Sequence, residues 1–103
     1  MLGIEIKKII KKHLEDITGF RYSDITSRCR IQELVSARDV LILYLSKYQK
    51  MSTTAIGRFL DRDHTSISSA IKRAKKNRSI VSASFLLSNK VKKSYDEFIK
   101  KNT

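Results

Sequence analysis

Proline is absent from this chain, glycine occurs only at Gly3, Gly19 and Gly57, and cysteine only at Cys29. With no proline to remove backbone donors and few glycines to end a run, a chain dominated by Leu, Ile, Lys and Ser favours helices with brief breaks. A single cysteine cannot close an internal disulfide, and with only His13 and His64 beside it there is no zinc-type ligand set, so no metal is expected. No stretch approaches the ~18 apolar residues of a membrane span. Lys7, Lys8, Lys11 and Lys12 also break up any signal-peptide core near the N-terminus, which makes a cytoplasmic protein without a membrane partner the expectation. Glycine-rich phosphate loops and paired-carboxylate constellations are missing too, and neither an enzyme, a cofactor nor a small-molecule substrate is expected.

Acidic side chains are scarce as well. Ten Asp and Glu face 22 Lys and Arg, a net charge of +12 on 103 residues. The length predicts one domain, spanning 1–103, with room for a real core. Its charge is the electrostatic footprint of a protein that meets polyanions, nucleic acid before membrane. Taken segment by segment, residues 58–78 hold seven basic and two acidic side chains, +5, against +1 for 1–19, +2 for 20–38, +1 for 39–57 and +3 for 79–103.

Hydrophobic periodicity predicts an all-α fold of about five or six helices. Ile6, Ile9, Ile10, Leu14 and Ile17 form one stripe of a first helix over about 4–17, ended by Thr18-Gly19. Ser23 is an acceptable N-cap for a short second helix that ends in the polar run from Thr26 to Arg30. A third helix, about 36–48, carries Val40, Leu41, Tyr44, Leu45 and Tyr48 and is the most apolar segment. Ser52 or Thr53 caps a short helix through Leu60, and Asp61-Arg62 connects it tightly to the next, a helix-turn-helix. Residues 79–87 are ambiguous, and Val91, Tyr95, Phe98 and Ile99 define a last helix over about 89–101.

Arg62-Asp63-His64-Thr65-Ser66 stands at the mouth of a helix over about 63–76, whose Ile67, Ala70, Ile71 and Ala74 repeat at core spacing. Asp63 is a good N-cap and complements the positive end of the helix dipole. Lys72, Arg73, Lys75, Lys76 and Arg78 load the far end, so the mouth offers donors and acceptors and the exit offers phosphate-seeking charge, the layout of a recognition helix. A carboxylate can accept from cytosine N4, hydroxyls can donate or accept, and the Thr65 methyl can touch a thymine methyl. The plainer alternative makes Asp63 a simple cap and His64 a surface imidazole. A catalytic triad of Asp63, His64 and Ser66 is disfavoured, since neighbours on one helical turn point in different directions. The lysines of the first helix and of the tail read as a solvated face, and Tyr22 as a packing residue rather than a stacking platform.

Ser36-Ala37-Arg38-Asp39, then Ser52-Thr53-Thr54-Ala55-Ile56-Gly57, then Arg62-Asp63-His64-Thr65-Ser66-Ile67 resemble the C-terminal DNA-binding domain of the bacterial replication initiator DnaA. The Arg-Asp-His-Thr core is the specific part; a weaker similarity runs from about Ile4 to Arg78. The resemblance implies an all-helical module that binds short duplex boxes, its helix-turn-helix in the major groove and a basic-loop arginine in the adjacent minor groove. It places Asp63, His64, Thr65 and Ser66 against bases and makes Arg30 the minor-groove arginine. Arg28, Arg38, Thr53, Thr54, Arg62, Lys72 and Arg73 fall to phosphates.

The chain departs from that pattern in three ways. Gly57 is followed by Arg58-Phe59-Leu60-Asp61 where the family usually places a Gly-Gly pair and one residue more, which leaves the angle between the two helices open. Cys29, Gln32 and Glu33 thin the basic loop, so the preferred box is expected to differ from the replication-origin one. The ATPase domain that precedes this module in DnaA has no counterpart here, and on its own such a chain would not form an ATP-driven filament. Double-stranded DNA is the expected partner of an expected monomer, either for DnaA-box-like recognition in replication initiation or as a small stand-alone transcriptional regulator. The alternative from another class is a basic helical interaction module that binds an acidic protein or structured RNA.

Overall fold

In the computed structural model, which describes residues 3–102, the isoleucine stripe at the N-terminus forms helix α1, Ile4–Thr18. The ends of the expected 1–103 unit, Met1, Leu2 and Thr103, lie outside the described residues. Gly19 closes α1 at φ 78°, the left-handed conformation glycine adopts without a Cβ penalty, and its amide donates to the Glu15 carbonyl. The next helix, α2, is only Tyr22–Ile25. Ser23 lies inside it rather than at its cap; the Tyr22 amide is instead satisfied from a distance by Glu15 Oε2 at 2.7 Å.

Helix α3 runs Gln32–Lys47 and starts about one turn earlier than the apolar pattern predicts. Leu34 is buried, which recruits the polar segment before Ser36 into the helix. Every residue from Ala37 to Leu45 is buried, because α3 is the central strut against which the other five helices pack. Two charged residues lie in that run, Arg38 and Asp39, and no buried side-chain nitrogen or oxygen among the described residues lacks a partner.

Helices α4, Thr53–Leu60, and α5, His64–Lys75, form the helix-turn-helix. Ser52 caps α4, its hydroxyl accepting from the Ala55 amide at 3.1 Å. Glycine is not needed in the turn: Asp61 itself takes the left-handed conformation at φ 55°, ψ 53°, which Asp tolerates better than most residues. The Arg62 amide then donates back to the Gly57 carbonyl at 2.8 Å. Gly57 is where glycine is required, since a Cβ there would lie 2.5 Å from the Arg62 carbonyl oxygen. Gly57→Ala is therefore expected to cost about 1–3 kcal/mol by forcing the turn off α4; a urea melt with an unchanged midpoint would refute this.

The last helix, α6, is Arg78–Lys101, and its beginning corrects the expectation of a start near 89. Asn77 caps it, accepting from the Ser79 and Ile80 amides at 3.0 and 3.3 Å. Ile80, Ser84, Leu87 and Val91 make one continuous buried row at helical spacing. Ser84 interrupts the apolar pattern in that row, but its hydroxyl is satisfied by the Val81 carbonyl at 2.8 Å. The six helices, with no strand among the described residues, make the domain all-α.

Candidate nucleic-acid interface

The mouth of α5 is open to solvent. Asp63 Oδ1 accepts from the Ser66 amide at 2.9 Å, as an N-cap should. That hydrogen bond, followed by the Thr65 amide and the Ser66 hydroxyl, holds the Asp63 carboxyl below the ordinary carboxylate range and keeps the cap anionic at neutral pH. His64, Thr65 and Ser66 are all exposed on the first turn. His64 lies on the α4 side, in a shallow polar cleft with Thr54, Arg58, Asp61 and Asp63.

Helical phase decides what else shares this surface. Ile67, Ala70, Ile71 and Ala74 are buried against α3 and α4, so the outward row follows Thr65, Ser69 and Lys72, all exposed. Ser69 belongs to this surface although nothing in its residue type singles it out. It lines the concavity between α3 and α5 together with Thr65, Ser66, Arg38, Arg62 and Arg73.

The arginines sort into two groups. Arg38 is only 8% exposed, and its guanidinium donates to the carbonyls of Ile25, Ser27 and Cys29 at 2.8, 2.7 and 3.0 Å. Arg62 donates to the carbonyls of Thr26 at 3.3 Å, Leu60 at 3.1 Å and Ser27. Burial, and for Arg62 the facing charges of Arg38 and Arg28, holds both guanidinium groups below their ordinary pKa. Arg73 makes a bidentate pair with Asp39, Nε to Oδ2 and Nη2 to Oδ1 both at 2.9 Å, which raises its pKa. These three groups are committed to the protein itself, so any phosphate they met would compete with or share those bonds.

Arg30 and Lys72 are exposed and, unlike those three, make no such bonds among the described residues. Arg30 stands in the loop before α3, next to the exposed Ile31. Arg28 in the same loop reaches the Asp61 carbonyl and carboxylate at 3.3 and 3.5 Å, a surface contact of little energetic weight. Thr53 and Thr54 form the first turn of α4, Thr53 half-buried and Thr54 exposed, where free amides favour an anion. Tyr22 packs partly buried against the core. Among the described residues no helix is long and apolar enough to cross a membrane, and no group of three His, Cys, Asp or Glu could hold a metal.

One family profile, described as bacterial dnaA protein helix-turn-helix, matches residues 6–74. No curated protein and no solved structure matches the chain. The matched residues run from the third residue of α1 to the last but one of α5, so they include the loop of Arg30, the turn at Asp61 and the mouth of α5. With that span inside the match and a helix-turn-helix built from α4 and α5, this chain belongs to the bacterial DnaA helix-turn-helix family.

Proposed function

We propose that the protein binds double-stranded DNA sequence-specifically, with the N-terminal half of α5 in the major groove and Arg30 in the adjacent minor groove. The observation that carries this is the exposed first turn of α5. Asp63 is fixed as its cap and the hydroxyls of Thr65, Ser66 and Ser69 are presented beyond it, within a segment, 58–78, that carries +5. Membership of the DnaA helix-turn-helix family supports duplex DNA as the partner. Asp63, His64, Thr65 and Ser66 read bases, and Ser69 joins them on the same outward row. Thr53, Thr54, Arg28 and Lys72 meet phosphates, and Arg38, Arg62 and Arg73 serve the interface first by holding it in shape. The protein acts near the nucleoid, in DnaA-box-like initiation or in transcriptional regulation.

Binding to a duplex is expected to fall steeply with salt, since each phosphate contact releases about 0.9 counterion. Titrations at several salt concentrations read this directly. A slope near zero would show that no phosphates are contacted and would remove DNA as the partner.

A further inference from the structure

We infer that Arg62 is a positioning residue that holds the Arg30 loop in register with the recognition helix, so that the minor-groove and major-groove contacts act as one unit. The inference rests on the DNA-binding reading above and adds to it a physical link between its two halves.

Helix α2 has a single turn, closed by the Thr26 and Ser27 amides on the Tyr22 and Asp24 carbonyls. The carbonyls that follow, from Ile25 to Cys29, lie at and beyond its end, where a helix offers no further donors, and two arginines from elsewhere meet four of them. Arg38 of α3 holds the carbonyls of Ile25, Ser27 and Cys29, and Arg62 of the helix-turn-helix holds those of Thr26 and Ser27. Both guanidinium groups converge on the Ser27 oxygen, at the negative end of the α2 dipole. Arg62 simultaneously holds the Leu60 carbonyl of its own turn and directly precedes Asp63, the cap of α5. One planar fork thus bridges the segment leading to Arg30 and the start of α5, and Arg30 immediately follows Cys29, the last carbonyl held. Arg28 adds a weaker tie in the same direction, from that segment to Asp61. A lysine at 62 would keep the charge but lacks the fork that reaches three carbonyls.

The test is a double-mutant cycle on two duplexes that share the protein's selected core motif and differ in flank, one A·T-rich and one G·C-rich. Arg30→Ala alone is expected to lose about tenfold in affinity on the A·T-rich flank and much less on the other. Arg62→Lys is expected to keep the core motif but to flatten the flank preference, and adding Arg30→Ala to it should then cost almost nothing further. If the losses from Arg62→Lys and Arg30→Ala simply multiply in folded protein, the link does not exist. Should Arg62→Lys fail to fold by circular dichroism, Arg62→Gln takes its place, because its planar amide keeps a donor in the turn but cannot bridge carbonyls of both segments. The same flattening is expected, and multiplicative losses again overturn the inference. Failure of the underlying reading looks different: a wild-type protein that selects no motif, or an Arg30→Ala loss equal on both flanks, is seen before any residue 62 variant is made.

Discussion

Replacing Arg73 by alanine is expected to lower the melting temperature by about 10–20 °C, although Arg73 is 56% exposed and looks like a surface cation. Its partner sets the size of the effect. The Asp39 side chain is 3% exposed on the central helix, and both of its oxygens accept from the Arg73 guanidinium. Removing one member of a buried pair leaves the other charge without compensation, a loss of about 3–5 kcal/mol in fully buried cases. Water reaches the exposed side of Arg73, so about 2–3 kcal/mol is the better figure here. Arg73→Lys should fall between, since it keeps the charge and loses the fork. Lys72→Ala, one position earlier and exposed, should leave the melt unchanged while weakening all duplexes alike and lowering the salt slope by about one contact. Equal melting curves for Arg73→Ala and wild type would show that the pair does not anchor α5 to α3.

That contrast between neighbours also marks how far the sequence could be read. The stripe Ile67, Ala70, Ile71, Ala74 and the caps Ser52 and Asp63 are local signals, each decided within about one or two turns, and the structure has all of them where the pattern places them. The partners of Arg38, Arg62 and Arg73 are not local. The Arg73–Asp39 pair spans 34 positions, and the carbonyls that occupy Arg62 lie up to 36 positions away, so nothing in residue type distinguishes these arginines from phosphate-seeking ones. Ser69 differs: the stripe that fixes the phase of α5 also turns position 69 outward beside Thr65, and only its bland residue type kept it from standing out. The start of α6 was obscured by serines at 79, 82, 84 and 88, which favour caps and turns when read singly. Asn77 and the buried row through Ser84 outweigh that preference.

Thr65→Ala is expected to weaken binding to the preferred box by about 1–3 kcal/mol, roughly 10- to 100-fold, while leaving nonspecific DNA nearly untouched. Thr65 is exposed, and the structure gives its side chain no hydrogen-bond partner whose loss would disturb the fold. His64→Ala should behave in the same way. On the proposed reading Asp63 has two roles, since its carboxylate caps α5 and the residue is exposed. Its depressed pKa means that the capping contribution stands at neutral pH and is lost only as pH falls through the lowered carboxyl range. Asp63→Asn separates the roles, for Asn still accepts from the Ser66 amide but offers a base both a donor and an acceptor. The melting temperature should barely move and the preferred base should change. A changed melt with an unchanged base preference would leave Asp63 a cap alone.

The most direct measurement is selection of bound duplexes from a random library by the wild-type protein and by Asp63→Asn, Thr65→Ala and His64→Ala in parallel. Base reading by the mouth of α5 predicts a defined motif for the wild type, a different base at one position for Asp63→Asn, and relaxed positions for the two alanine variants. If the wild type enriches no motif, or all three folded variants enrich the wild-type motif with unchanged affinity, this helix does not read DNA and a basic interaction module becomes the better description.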